Sequence, residues 1–138
     1  MLNGCLAMDT EFNKSSFTAV ERQLILLSVS AENECSYCLA AHSTILKHMM
    51  HVDAAVVAAV RSGQPLSDAK QNALVTLTKE LVRERGHLSQ GTREAFFAAG
   101  YTATQLMEVL LGIALKTVSN YLDHISPAPL DDAFQPEA

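Results

Sequence analysis

Apolar residues recur along most of this chain at spacings of three and four, the period of a helix packed on one side, and strong stop signals cut the pattern into about six segments. Thr18-Ala19-Val20-Glu21 is a capping box, with a hydroxyl at the N-cap and a carboxylate three residues on. It opens a helix through about Ala31, whose apolar side carries Val20, Leu24, Leu27 and Ala31. Glu32-Asn33-Glu34 breaks the pattern, and a second helix runs from about Cys35 to about Met49. Asp53 caps a third over Ala54 to Arg61, which Gly63 and Pro65 stop. Ser67 is expected to cap a fourth, which carries Ala73, Leu74, Leu77 and Leu81 and ends at Gly86. Thr92 to Ala99 reads as a short fifth helix. Thr102 opens the longest, through Leu106, Val109, Leu110, Ile113, Ala114 and Val118 to Asp123.

The predicted fold class is an all-α, single-domain helical bundle spanning 1–138, with its core at about 17–124, an N-terminal segment 1–16 and a Pro-containing tail 125–138. The tail from Ser126, with Pro127, Pro129 and Pro136, cannot continue a helix and is expected to lie over the surface or reach a neighbouring subunit. Gly112 inside the last helix costs about 1 kcal/mol relative to Ala, which marks a close helix contact. Met49 and Met50 read as core fillers.

Composition narrows the function classes. Hydrophobic residues make up 49% of the chain and charged residues 18%, a balance too apolar for disorder. Helices apolar on more than one face need partners, so a homo-oligomer is expected. A net charge of −5 without a Lys/Arg cluster gives no footprint for nucleic acid or an anionic membrane. No apolar run approaches the ~20 residues that span a bilayer. Met1-Leu2-Asn3-Gly4-Cys5 resembles a lipoprotein cleavage box but lacks the charged start and apolar stretch of a signal. Cys5 therefore reads as an ordinary thiol and the protein as soluble and cytoplasmic.

The chemistry concentrates in Cys35, Cys38 and His42. Offsets of three and four along a helix stack all three side chains on one face. The thiolate is the nucleophile, and the first turn of a helix stabilises it through unpaired N–H groups and the macrodipole. A second thiol one turn away can attack a sulfenic acid on the first and close a disulfide that a reductant reopens. The helix end favours Cys35 as the attacking thiol, whereas His42 favours Cys38. Along the axis His42 is about 6 Å from Cys38 and about 10.5 Å from Cys35 at 1.5 Å rise per residue. An imidazole there can take the Cys38 proton and return it to a departing alcohol.

The run Glu21-Arg-Gln-Leu-Ile-Leu-Leu-Ser-Val-Ser-Ala-Glu-Asn-Glu-Cys-Ser-Tyr-Cys-Leu-Ala-Ala-His42 resembles the core of the alkylhydroperoxidase D and carboxymuconolactone decarboxylase family. Asn33 and Tyr37 strengthen the match, and Leu115-Lys-Thr-Val-Ser-Asn-Tyr-Leu-Asp-His124 resembles the closing helix of its peroxidase-related members. The resemblance spans about Phe17 to His124. It implies an all-helical subunit in trimers or hexamers, with thiol peroxidase activity and no bound cofactor or metal. By position, Cys38 would be peroxidatic, Cys35 resolving and His42 part of a proton relay. The substrate would be a hydroperoxide, and a separate dithiol or protein reductant would restore the thiols. The family's glutamate twelve residues before the first cysteine is here Gln23, which cannot act as a general base. Glu21 lies about 200° around the same helix and is expected to point elsewhere. Glu34, beside Cys35, would raise thiol pKa values if it lay close.

Two other function classes compete. Lactone decarboxylation, the family's other namesake activity, needs an acid–base pocket and no dithiol. A non-catalytic redox-sensing or zinc-binding module could use Cys35, Cys38 and His42, but a closed zinc site needs a fourth ligand that the spacing does not supply. The two cysteines could also be plain buried hydrophobes, a role that does not need a histidine at helical spacing. Tyr37 could donate into the site or pack against a neighbour. Asn120, Tyr121 and His124 could line the pocket or an interface. His48 and His51, near the end of the second helix, are expected to meet its terminal carbonyls.

Overall fold

In the computed structural model, which describes all 138 residues, the chain folds into seven α-helices, a π-helical turn and a closing 3₁₀ helix. The α-helices are α1 Leu2–Asn13, α2 Ala19–Glu32, α3 Ser36–Thr44, α4 Ala54–Ser62, α5 Ala69–Arg83, α6 Gln90–Ala98 and α7 Ala103–Ile125. With the π turn Ile45–Met49 counted as the continuation of α3, there are eight helical segments where the pattern predicts six.

The two unpredicted segments lie at the chain ends, where local signals are weakest. Helix α1 has no side-chain cap at Met1 and buries only Phe12. It is held by long-range contacts: its Phe12 ring lies against Gly112 of α7, and the following Ser16 gives its N–H and hydroxyl to Glu108 at 3.2 and 2.7 Å. At the other end the 3₁₀ helix Asp132–Glu137 packs across α3. The Tyr37 hydroxyl donates to Asp131 Oδ2 at 2.6 Å, and its ring meets Phe134 edge-on at 5.9 Å. The Glu137 carboxylate accepts from Lys47 at 2.7 Å and His48 at 2.8 Å, while Arg61 donates to the Glu137 carbonyl at 2.8 Å. The tail thus lies over its own surface. His48 serves that tail rather than the carbonyls of its own helix.

Helix α2 is the axis of the bundle. Leu24 to Ser30 are all buried, with α5 and α7 packed against it together with α3 and α4. Ile25 and Leu26 feed one core with Phe12, Leu74, Leu77, Phe96 and Val109, and Leu24 and Leu27 feed a second with Leu46, Val57, Val60 and Val75. Two serines sit inside this apolar stretch at no hydrogen-bonding deficit, because Ser28 donates to the Leu24 carbonyl and Ser30 to that of Leu26.

The predicted capping box at Thr18 is present, as is a second one at Thr102 and Gln105. Two start signals lie elsewhere than expected. Asp68 rather than Ser67 caps α5, its carboxylate accepting from the Gln71 N–H at 2.8 Å, and Ser89 caps α6, which begins at Gln90 rather than at Thr92. Met50 packs on the second core, but Met49 is exposed and fills nothing. No helix is by itself long and apolar enough to cross a membrane.

Gly112 supports the close contact read from the sequence. A Cβ there would stand 2.8 Å from Phe12 Cε2 and 3.0 Å from Ile25 Cγ2, both in the packed core. Overpacking of this kind costs ~1–3 kcal/mol against a helix-propensity gain of ~1 kcal/mol. Gly112→Ala is therefore expected to lower the urea midpoint, and Phe12→Leu to cost less stability in that background than alone. A double-mutant cycle with no coupling between the two positions would sink this account.

Candidate functional site

The tight connection between α2 and α3 sets the site. Glu34 turns the chain in the left-handed region at φ 55°, which aims its carboxylate into solvent and leaves Cys35 as the N-cap of α3. The Cys35 sulfur takes the capping role usually filled by an oxygen, accepting the Cys38 N–H at 3.4 Å. Cys35 is wholly buried, and its thiol faces Asp123 Oδ2 of α7 at 3.6 Å. Burial pushes this thiol up to about 12, the Cys38 thiol and the Asp123 charge add to the rise, and the Cys38 N–H opposes it. Cys35 is accordingly held protonated at neutral pH. Cys38, one turn along α3, is buried except for a small exposed edge.

His42 follows one turn later and is also buried. Its Nδ1 lies 2.8 Å from Gln23 Oε1 on α2, and its Nε2 lies 2.9 Å from Lys116 Nζ on α7. Only one protonation state satisfies both partners: the ring is neutral, Nδ1–H donates to the amide oxygen, and Nε2 accepts from the ammonium. Burial and the adjacent Lys116 charge hold the imidazole well below its ordinary pKa. Both ring nitrogens are thus engaged by neighbours other than the thiols.

The far wall of the site is a polar stripe on α7. Lys116, Asn120 and Asp123, at offsets of four and seven, lie on one face and reach three different partners. Asn120 is wholly buried; it donates to Ser30 Oγ at 3.3 Å and accepts from Asn33 at 3.1 Å, which ties α7 to the end of α2. Tyr121 and His124 are exposed and stack on each other at 6.3 Å. Tyr37 is turned to the tail. Glu21 is occupied at the start of α2, where it accepts from the Thr18 N–H at 2.9 Å and the Tyr101 hydroxyl at 2.7 Å. No group of three or more His, Cys, Asp or Glu side chains converges to hold a metal ion, and the His42 nitrogen a zinc site would use is taken by an ammonium.

The sequence model of the carboxymuconolactone decarboxylase family matches residues 2–80. The chain belongs to that family. Among solved structures, an uncharacterized peroxidase-related protein from Silicibacter sp. TM1040 is 20% identical and has a TM-score of 0.84 over 99% of this chain and 73% of its own. An alkylhydroperoxidase AhpD core, a peroxidase-related protein from Ralstonia eutropha JMP134, is also 20% identical, with a TM-score of 0.83 over 96% of this chain and 71% of its own. At that identity the likeness is one of fold. No functionally curated protein matches the sequence.

Sequence pattern alone does not assign Lys116 and Asp123 to the site of this family member. The signal that points to them is the polar stripe they form with Asn120 on an otherwise apolar helix.

A buried neutral His42 makes stability depend on pH with a definite sign. Its folded pKa is lowered, so as pH falls below about 6.5 the unfolded chain takes up a proton that the folded protein refuses. Stability is lost on acidification by up to ~1.4 kcal/mol per pH unit. Urea titrations between pH 7.5 and 5.5 are expected to show this loss in wild type and a shallower one in His42→Gln. Parallel curves would place the ring in water.

Proposed function

We propose that the protein is a thiol-dependent peroxidase that cycles Cys35 and Cys38 between dithiol and disulfide. The observation that carries this reading is the division of labour inside one helical turn. Cys35 is sealed, protonated and set against a carboxylate, while Cys38 is the one residue of the pair that keeps some exposed surface.

The Cys38 thiolate attacks the outer oxygen of a hydroperoxide. The O–O bond breaks, sulfur is oxidised to the sulfenic acid, and the departing alkoxide takes a proton from the Lys116 ammonium, which the proton released to solvent by the Cys38 thiol restores. Cys35 then attacks the sulfenic sulfur. Asp123 accepts the Cys35 proton and passes it to the departing hydroxide, which leaves as water as the disulfide closes. An external dithiol or protein reductant restores both thiols. His42 acts here as a neutral partner that holds the ammonium in place, since glutamine at position 23 fixes its tautomer without supplying charge.

The same reading includes a homo-oligomer, trimer or hexamer. Met107, Leu110, Tyr121, Leu122 and Ile125 leave apolar surface on α7 that a second copy would cover. Lactone decarboxylation leaves the sealed dithiol without a task, and is the weaker reading for that reason.

Single-turnover reaction of the reduced protein with cumene hydroperoxide, read by mass spectrometry, tests the assignment. Wild type should consume one peroxide per dithiol and form the Cys35–Cys38 disulfide. Cys38→Ser should be inert, and Cys35→Ser should stop with one added oxygen. Asp123→Asn should slow disulfide closure at least about tenfold while leaving the first oxidation alone. Wild-type oxidation no faster than that of a free thiol at the same pH would remove the peroxidase reading.

A further inference from the structure

We infer that the site selects a substrate carrying a negative charge, a hydroperoxide that bears a carboxylate or a comparable anionic group, and that Lys116 makes the selection. The hydroperoxide class of the substrate rests on the peroxidase reading above. The charge preference rests on geometry.

Lys116 has one hydrogen-bond partner, the neutral Nε2 of His42 at 2.9 Å. None of the protein's ion pairs includes it; the carboxylates that pair with cations are Glu11, Glu32, Glu84 and Glu137. Asp123, two turns along α7, is directed to the Cys35 thiol and the Ala128 N–H. The ammonium is therefore half-buried with no counter-charge, and His42 is the one protein group that its three N–H groups meet. That arrangement leaves the charge open to an anion.

Gln23 is the second half of the inference. A carboxylate at this position would lie across the imidazole from Lys116 and balance its charge through the ring. The amide supplies the same hydrogen bond at 2.8 Å and no charge. The positive charge is thus left over on Lys116, against the imidazole that stands one helical turn from Cys38 on the same face of α3. A molecule whose reactive atom meets Cys38 sets its neighbouring groups within range of that charge.

Iodoacetate and iodoacetamide test this without any peroxide. They are close in size, alkylate the same thiolate and differ in charge. The ratio of their rates at Cys38, measured in low salt against the ratio for glutathione, is expected to be raised about fivefold or more in wild type. Half-molar salt should shrink the excess, because a half-exposed charge is screened. Lys116→Met should abolish it, Lys116→Arg should retain it, and Gln23→Glu should reduce it with Lys116 still present. A wild-type ratio equal to that of glutathione, or a Lys116→Met change that slows both reagents equally, overturns the proposal. A parallel comparison of cumene hydroperoxide with its para-carboxylated form should favour the anion in wild type. Loss of the peroxide reaction together with an intact alkylation ratio would overturn the peroxidase reading and leave the anion preference standing.

Discussion

Helix α2 is buried along its middle from Leu24 to Ser30, so every polar atom it carries there must find a partner inside the protein, and the half-buried Gln23 and Asn33 on either side of that stretch are partnered as well. The two serines turn back on their own helix. Asn33 and Gln23 do not have that option and reach outward, to Asn120 and His42. The site is built on those two outward bonds. One anchors the polar stripe of α7 against the α2–α3 turn, and the other fixes the imidazole that receives Lys116. Because unpaired buried polar groups cost ~1–3 kcal/mol each, the three helices cannot slide past one another without breaking several of these bonds together.

The rigidity has an electrical consequence. Asp123 stands at the sealed thiol and Lys116 at the imidazole, about 10.5 Å apart along α7 at 1.5 Å per residue. Their charges act on different partners, so the two thiols meet different fields although they are one helical turn apart. Cys35 is kept neutral by burial, by the Cys38 thiol and by a carboxylate, and the N–H it receives from Cys38 is too small a counterweight. A helix N-terminus lowers a thiol pKa only where burial and nearby anions permit, and at Cys35 they do not. The sequence argument from proximity to the helix end thus favoured the cysteine that the fold has silenced.

That case shows where legibility stopped. The capping boxes, the Gly112 contact and the Cys–Cys–His stacking are properties of neighbouring residues on one helix, and the chain displays them openly. Helix α1 and the 3₁₀ tail are held by partners about ninety residues away, Ser16 by Glu108 and Tyr37 by Asp131. Local propensity carries no trace of such bonds. The pairing of Gln23 with His42 comes into view only through family resemblance, because nothing local encodes a contact across a separation of 19 residues. Lys116 and Asp123 were harder still. They belong to a helix whose apolar period dominates, and a polar residue on such a helix looks like solvent-facing surface until the fold shows what it touches.

Gln23 then changes meaning. As a departure from a family pattern it looked like a loss, a relay with its base removed. In the folded protein it is a choice of where the positive charge sits. A carboxylate against Nδ1 would favour a protonated ring and would share the cation between His42 and Lys116. The amide leaves the ring neutral and the whole charge on the lysine, on the side of the imidazole away from α2. An ammonium is a compact, strongly hydrated charge on a flexible stem, and it can follow an anion in a way that a ring clamped at both nitrogens cannot. On the proposed reading, the amide gives up passing protons through histidine in favour of holding an anion beside Cys38.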